Sequence, residues 1–211
     1  MNTANTDKGP RDDRWYLKLM APNTKGEKFA WLDPTSIYSR ADAFHDLLDD
    51  LVADLDGVAC DVVCGLDAMG FVLGSALATR LRLGFLPVRK AGKLCVATDT
   101  VDFTNYSRRV QGIEMRQPAF GPGTRVLLVD QWVETGGTVD GAIRLVERQQ
   151  GCVVAIAAVA IEENPVTDAY RKQYRCAAGV VPGSHWQREC NAHRLASFDG
   201  YRPQDAFPLR R

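Results

Sequence analysis

The stretch of chain from residue 126 to residue 161 constrains the fold more than any other. A continuous apolar run at residues 126–129 ends at Asp130, and a second apolar run covers residues 152–161. Between them, the Thr-Gly-Gly-Thr turn at residues 135–138 opens a helical pattern whose apolar face is Val139, Ala142, Ile143 and Val146. Strands that are apolar throughout are buried on both faces, so this pattern predicts a parallel sheet covered by helices on both sides.

The first half of the chain repeats this order in a weaker form. Apolar residues recur at helical spacing over residues 39–55, and a short apolar run at residues 59–64 is ended by Gly65. A second helical pattern covers residues 70–83, and strand character returns at residues 85–89. Because strand, helix and strand in this order form the unit of a parallel sheet, we expect one α/β domain with a mostly parallel central sheet flanked by helices.

Local composition divides the chain into sections. Residues 1–14 are polar and predict a disordered lead, and residues 15–34 mix aromatic residues with turn formers and predict a small N-terminal cap. The domain itself is expected at residues 15–180, followed by a C-terminal extension, residues 181–211, packed on the domain. Residues 98–109 are polar and predict a mobile loop or a hairpin.

Composition argues against several classes of protein. Lys and Arg total 26, as do Asp and Glu, so the net charge is zero and a broad basic face for nucleic acid is not expected. No apolar stretch has the length of a membrane helix, and the N-terminus lacks the apolar core of a signal peptide. The six cysteines include no CxxC pair, which favours packing in a core over disulfides or a metal site. We therefore expect a cytoplasmic protein that binds neither nucleic acid nor a membrane.

The turn at residues 135–138 carries the most specific chemistry. Strand ends and the following helix N-termini meet at one edge of a parallel sheet, so this turn should lie near Asp130. Free N–H groups at a helix start bind phosphate, and Gly136 and Gly137 let the backbone close around its oxygens. A nearby carboxylate suits sugar hydroxyls, so a phosphorylated sugar fits both groups. The alternative is that the glycines only permit a tight turn and that Asp130 caps the helix.

Three segments resemble a known family. VLLVDQWVETGGT, residues 126–138, resembles the phosphoribosyl-pyrophosphate (PRPP) signature of type I phosphoribosyltransferases, and GLDAMGF and GFLPVRKAGKL, residues 65–71 and 84–94, resemble the adenine branch of that family. The resemblance implies a type I phosphoribosyltransferase fold with a small N-terminal hood. It also implies transfer of a phosphoribosyl group to a purine, Mg²⁺ on the donor's pyrophosphate, and a homodimer.

The resemblance assigns roles to particular residues. The 5-phosphate would be held by Thr135, Gly136, Gly137 and Thr138, and the sugar by Asp130 and Gln131. The pyrophosphate would be held by Leu66, Asp67, Ala68, Met69, Lys90, Lys93 and Arg109. The residues expected to be catalytic are Asp130, Lys90 and Arg89, and the base would contact Phe29, Ala30 and Trp31. Taken alone, the Arg89-Lys90 run with Lys93 is also consistent with a solvated basic turn.

Four positions depart from the family's pattern. The family has two adjacent acids where this chain has Asp130-Gln131, an Arg where it has Met69, and a loop Glu where it has Arg109. Its Phe-Arg-Asp hood motif reads Phe29-Ala30-Trp31. These departures leave three functions open: an adenine-like purine phosphoribosyltransferase, a specialised transferase that uses a modified phosphosugar pyrophosphate or another base, and a non-catalytic sensor of PRPP or nucleotides. The retained Asp130, phosphate turn and basic run favour an enzyme.

Two histidines and one tryptophan remain outside these assignments. His185 and His193 lie in the C-terminal segment with no carboxylates at metal-ligand spacing, so we expect both to be structural. Trp132 follows the acidic position closely, and the sequence is consistent with packing against the sugar site or against a neighbouring subunit.

Overall fold

The structure is a computed structural model, and it describes residues 14–22, 32–104, 110–194 and 199. The base-binding prediction for Phe29, Ala30 and Trp31 and the pyrophosphate prediction for Arg109 lie outside the described residues. The same is true of nearly all of the predicted lead and of the last part of the C-terminal extension.

A seven-stranded sheet forms the centre of the domain. Its strands are β1 (Val62–Leu66), β2 (Gly84–Lys90), β3 (Thr98–Thr104), β4 (Val110–Arg116), β5 (Arg125–Val129), β7 (Cys152–Ala158) and β9 (Arg175–Ala178), in the order β3-β4-β2-β1-β5-β7-β9. Strands β2, β1, β5, β7 and β9 run parallel, whereas β4 is antiparallel to both β2 and β3. A separate parallel pair joins β6 (Trp132–Val133) to β8 (Ala160–Ile161). The predicted mostly parallel sheet is confirmed.

Helices cover both faces of this sheet. They are α1 (Thr35–Ser39), α2 (Ala41–Asp54), α3 (Met69–Leu81), α4 (Gly137–Arg148), α5 (Pro165–Gln173) and α6 (His185–Asn191), and a 3-10 helix spans Trp15–Leu19. Alternate residues of β5 face opposite cores: Leu127 and Val129 pack in the core under α2 and α3, whereas Val126 and Leu128 pack in the core under α4. This double burial explains why the strand is apolar at every position.

Gly65 does not end a strand, contrary to the sequence prediction. Strand β1 begins at Val62 and continues through Gly65 to Leu66, so the predicted strand at residues 59–64 was placed about three residues too early. A Cβ at Gly65 would lie 2.7 Å from the carbonyl oxygen of Gly70 and from the Phe85 ring. The glycine therefore allows α3 and Phe85 to approach the strand.

Two other predictions concern the second half of the apolar pattern and the polar stretch before β4. The apolar run at residues 152–161 is divided into β7 and β8, because the Val159 N–H donates to the Gln131 carbonyl at 3.0 Å and redirects the chain toward β6. The polar stretch at residues 98–109, predicted as a mobile loop or a hairpin, contains β3, which pairs with the antiparallel β4, so the hairpin alternative is confirmed.

The first half of the predicted N-terminal cap packs on α2. Trp15 donates its indole N–H to Asp46 at 2.7 Å, and the Tyr16 hydroxyl donates to Asp50 at 2.9 Å. Tyr16 and Leu17 are fully buried in the main core. An antiparallel backbone bridge joins Ala21 to Asp33.

The described part of the C-terminal extension packs against the end of β8. Gln187 on α6 is fully buried and donates its amide to the Ile161 carbonyl at 3.1 Å. Asn191 accepts from the Glu163 N–H at 3.2 Å and donates to the Glu163 carbonyl at 3.0 Å. In the part of the chain that the structure describes, no helix is long and apolar enough to cross a membrane.

Candidate active site

A cavity of about 390 Å³ opens at the carboxyl edge of the parallel sheet. It lies where β1 and β5 end and where α3 and α4 begin, the position expected for ligands in sheets of this kind. The start of α3 lies close to the end of β5 because of Gly70, since a Cβ there would lie 2.5 Å from the Val129 carbonyl oxygen and 3.1 Å from the Asp130 Cα. The geometry thus brings the predicted turn and carboxylate to one cavity.

One wall of the cavity is the turn at residues 135–138, all four of which line it. Gly136 immediately precedes α4 and has left-handed backbone angles, φ 82° and ψ −9°. A Cβ there would meet the Tyr170 hydroxyl at 2.7 Å, so both conformation and space require glycine. The N–H groups of the first turn of α4 lack intrahelical acceptors and carry the positive end of the helix dipole. This wall can bind a phosphate dianion.

Asp130 lies beside this turn, directly after β5, and also lines the cavity. Its Oδ1 accepts the Gln131 N–H at 2.7 Å. Burial raises the pKa of Asp130 to about 7, although the Gln131 N–H acts in the opposite direction. Gln131 lines the cavity too, and its side-chain oxygen is buried without a hydrogen-bond donor among the described residues. Both predicted sugar-binding residues therefore line the same cavity.

A second wall is formed by Asp67, Ala68, Met69 and Lys90. The peptide bond between Asp67 and Ala68 is cis. The Asp67 N–H donates to the Val88 carbonyl at 3.0 Å, so this amide is used within the sheet. Leu66 is fully buried in the sheet and lies outside the cavity wall. The amides that remain available for an anion belong to the start of α3, which begins at Met69.

Arg89 and Lys93, predicted beside the pyrophosphate, lie outside the cavity wall. The Arg89 Nε is 3.6 Å from the Asp67 Oδ2, and its guanidinium donates to the Lys93 carbonyl at 3.3 Å. The side chain of Lys93 is exposed. Arg89 therefore contacts Asp67, which lines the cavity, whereas Lys90 lines the cavity itself. The roles assigned to Arg89 and Lys93 stay predictions.

Glu114 holds the chain between Lys93 and Thr98. Only 4% exposed, it accepts the backbone N–H groups of Lys93 and Leu94 at 2.7 and 2.6 Å and the Thr98 hydroxyl at 3.3 Å. Burial alone would raise the pKa of Glu114, but hydrogen bonds from Gly92, Leu94, Lys93 and Thr98 outweigh it and lower the pKa. Glu114 thus fixes the segment that follows Lys90.

A third wall contains Glu162 and His193, which the sequence analysis did not assign to the site, and Trp132, for which packing against the sugar site was one of two alternatives. Trp132 donates its indole N–H to Glu162 Oε1 at 2.7 Å, and the His193 Nε2 lies 2.8 Å from the same oxygen. All three residues line the cavity, as does Glu134, whose pKa is raised by burial and by the Glu162 charge and lowered by His193. His193, which the sequence analysis expected to be structural, therefore lies at the cavity wall, and its role stays a prediction. The hydrogen bonds of Glu162 to Trp132 and His193 join residues about 30 positions apart, so the local sequence pattern did not indicate them.

The fold and this cavity together define an α/β domain in which a helix start with free backbone N–H groups lies beside a carboxylate at the carboxyl edge of the sheet. The family model described as the phosphoribosyl transferase domain matches residues 35–192, and the chain belongs to this family. The predicted type I phosphoribosyltransferase fold is confirmed by solved structures of the same architecture.

The relative and the two solved structures compared with this chain are all adenine phosphoribosyltransferases. The chain is 40% identical over 155 residues to an adenine phosphoribosyltransferase of Cereibacter sphaeroides, covering 73% of this chain and 84% of that protein. Among solved structures, the adenine phosphoribosyltransferase of Thermoanaerobacter pseudethanolicus is 30% identical with a TM-score of 0.67, covering 75% of this chain and 92% of that one. That of Saccharomyces cerevisiae, complexed with adenine and an imino-altritol bisphosphate, is 27% identical with a TM-score of 0.69, covering 79% and 98%.

Proposed function

We propose that this protein is an adenine phosphoribosyltransferase, which transfers the 5-phosphoribosyl group of PRPP to adenine and releases pyrophosphate. The observation that carries the proposal is the intact phosphate turn at residues 135–138 beside Asp130 in one cavity. Relatives and solved structures named adenine phosphoribosyltransferase support the choice of base. The enzyme class is a pentosyltransferase.

The chain's residues act mainly by binding and orientation. The start of α4 holds the 5-phosphate, and Asp130 and Gln131 hold the ribose hydroxyls. The bond between the ribose C1 and the pyrophosphate oxygen breaks with its electron pair on the oxygen, while a purine nitrogen forms the new bond to C1 and releases its N–H proton to water. Lys90, with the start of α3, stabilises the charge that develops on the departing pyrophosphate.

Mg²⁺ fits the donor set in this cavity. Asp67 and Asp130 provide carboxylates, and Gln131 provides a buried amide oxygen without a partner among the described residues. Mg²⁺ prefers oxygen ligands and is usually held by one or two carboxylates together with substrate phosphates. Among the described residues no group of three or more His, Cys, Asp or Glu side chains could hold a metal ion, so we propose that Mg²⁺ enters with the donor. When bound, it neutralises charge on the pyrophosphate.

The base side of the proposal includes residues outside the described part of the chain. Phe29, Ala30 and Trp31 are proposed to cover the base, with Trp31 offering a large stacking surface. Arg109 is proposed to approach the pyrophosphate from the segment between β3 and β4. Leu32 is the described residue next to this hood, and it lines the cavity.

The proposal is tested by product analysis. The full chain is incubated with PRPP, adenine and MgCl₂, and adenosine monophosphate and pyrophosphate are measured together, with Asp130→Ala as control. We expect the two products in equal amounts and a much lower rate for the control. Turnover only with another sugar pyrophosphate or another base would show the specialised transferase, and binding without turnover for every donor and base would show the sensor.

We further propose a cytoplasmic homodimer. The cytoplasmic location is supported by the six cysteines, which are all unpaired although Cys95 and Cys152 are exposed. The dimer is supported by the resemblance to the family, and sedimentation analysis of the full chain tests it.

A further inference from the structure

Among the residues that line the cavity, two groups are already accounted for by the donor. The turn at residues 135–138 suits the 5-phosphate, and the second wall at residues 67–69 with Lys90 suits the pyrophosphate. The third wall contains Trp132, Glu162 and His193. In an enzyme with the proposed function, the remaining wall is available to the acceptor base.

Glu162 is the most constrained side chain of this third wall. The residue is only 8% exposed, and its Oε1 accepts the Trp132 indole N–H at 2.7 Å and lies 2.8 Å from His193 Nε2. With a proton on Nε2, the imidazole is a second donor to Oε1. The other carboxylate oxygen, Oε2, receives no hydrogen bond from the residues that the structure describes. An ionised carboxylate is an acceptor only, so Glu162 presents a fixed acceptor to the cavity.

His193 is held in place from the C-terminal side of the chain. The backbone N–H of His193 donates to the Cys190 carbonyl at 3.0 Å, and the His193 backbone has a positive φ of 53°. Helix α6 just before it is tied to the end of β8 by Gln187 and Asn191, on either side of Glu162. The C-terminal segment is thus anchored so that His193 reaches the cavity.

We propose that Glu162 is a specificity-determining residue that selects acceptor bases carrying an amino group, and that Trp132 and His193 are positioning residues that fix its carboxylate. The inference rests on the proposed function and deepens it. An amino group of the base donates to Oε2. An oxo group in its place turns lone pairs toward a buried carboxylate, which leaves the carboxylate unpaired and repels the base.

The expected discrimination between bases with an amino group and bases with an oxo group is large. A site built to accept an N–H donor rejects an analogue without it, since the buried polar group then loses its partner. Replacement of Glu162 by Gln keeps the shape and adds an N–H₂ donor, which can pair with an oxo group. Glu162→Gln is therefore expected to relax the preference rather than to remove binding of purines in general.

The first experiment measures kcat and KM of the full chain for adenine and hypoxanthine, with PRPP saturating, and calorimetric affinities for both bases. For Glu162→Gln we expect the adenine-to-hypoxanthine ratio to fall at least about tenfold, mainly through the KM for adenine, with the KM for PRPP within about twofold of wild type. Glu163→Gln is the matched control, since Glu163 is exposed and its Oε1 accepts only the Gly183 N–H. An unchanged ratio in Glu162→Gln overturns the inference.

The second experiment tests the positioning residues. His193→Ala and Trp132→Phe each remove one donor to Glu162, and both should raise the KM for adenine with little change in kcat. His193→Gln, which retains an N–H donor, should recover part of the loss, and His185→Gln on the exposed end of α6 is the control. Loss of stability without a selective change in the KM for adenine would assign Trp132 and His193 a structural role alone and contradict this part of the inference.

The two proposals fail in different ways. If the wild type binds amino-bearing bases but forms no nucleotide, the proposed function fails while the calorimetric comparison still tests Glu162. If the wild type forms nucleotide and Glu162→Gln does not alter base preference, the proposed function stands and the inference fails. A wild type that binds neither base overturns the inference directly.

Discussion

The Tyr170 hydroxyl lies 3.0 Å from the carbonyl oxygen of Gly136, the residue with left-handed backbone angles in the phosphate turn. The same hydroxyl is 2.5 Å from Asp140 Oδ1, on the first turn of α4. Asn164, which caps α5, donates to the Glu134 carbonyl at 2.7 Å on the other side of the turn. Helix α5 therefore supports the proposed phosphate site from behind, through contacts far apart in sequence.

Removal of the Tyr170 hydroxyl should weaken donor binding. We expect Tyr170→Phe to raise the KM for PRPP about fivefold with a smaller change in the KM for adenine, because the variant loses one hydrogen bond of about 1 kcal/mol from the hydroxyl that lies between the Gly136 carbonyl and Asp140 at the start of α4. Steady-state kinetics with each substrate varied measures this. Tyr174→Phe is the control, since the Tyr174 hydroxyl makes no hydrogen bond to the described residues. Equal KM values for Tyr170→Phe and wild type would count against the supporting role.

Asp130 should make the stability of the ligand-free protein depend on pH. Burial raises its pKa to about 7, so the folded chain holds this proton more tightly than the unfolded chain, where the value is near 4. The resulting stability is complete below about pH 4 and is lost as the pH rises from about 4 to about 7.

The matched variant for this effect is Asp130→Asn, which carries no titrating group at that position. Since Asp130 is open to the cavity on one side, we expect wild type to lose only about 2 kcal/mol relative to Asp130→Asn between about pH 5 and about pH 8. Urea unfolding at both pH values measures it. A constant difference between the two proteins across this range would contradict the cause assigned to the raised pKa.

Replacement of Lys90 and replacement of Lys93 should differ in their effect on the turnover rate. Lys90 lines the cavity, so Lys90→Ala is expected to lower turnover at least about tenfold, a loss of about 1.4 kcal/mol of transition-state stabilisation. Lys93 is exposed outside the wall, so Lys93→Ala should have a smaller effect. Single-turnover rates with PRPP and adenine compare them. A larger effect at Lys93 would show that the segment after Lys90 closes onto the substrate.

Gly70 should be intolerant of a side chain. An alanine Cβ there would lie 2.5 Å from the Val129 carbonyl oxygen, so α3 would have to move away from β5 and Asp130. We expect Gly70→Ala to lower the free energy of unfolding by about 2 kcal/mol and to reduce kcat/KM. Gly84→Ala is the control, because the nearest atom to its Cβ would be Val62 Cγ2 at 3.9 Å. Urea unfolding that gives equal losses for both variants would contradict the close approach.

Much of the parallel sheet could be predicted because its signals are local. The apolar run of β5 is buried on both faces, and the turn at residues 135–138 comes directly before an amphipathic helix. Strand β3 was harder to recognise because tertiary contacts with α4 support its polar sequence: the Asp99 carboxylate pairs with Arg148 at 2.8 Å, and the backbone carbonyl of Asp102 accepts from Arg144 at 2.7 Å. Both arginines lie on α4, far from β3 in the sequence.

The residues of the candidate site also divide into those that a local pattern predicts and those that only tertiary contacts bring to the cavity. Asp130 and the phosphate turn were predictable, since a few consecutive residues at one strand end define them. Glu162 and His193 were not, because their contact spans 31 residues and depends on how α6 packs against β8. Gly65 was misread for a related reason: a glycine that ends a strand and a glycine that admits a neighbouring helix look alike in a sequence.

The most direct measurement of the central claim is a crystal structure of the full chain with ribose 5-phosphate. The account predicts the phosphate bound by the backbone N–H groups at the start of α4, within the turn at residues 135–138. It also predicts the ribose hydroxyls within hydrogen-bond distance of the Asp130 carboxylate. Ribose 5-phosphate bound elsewhere, with this turn and Asp130 free of ligand, would contradict the account.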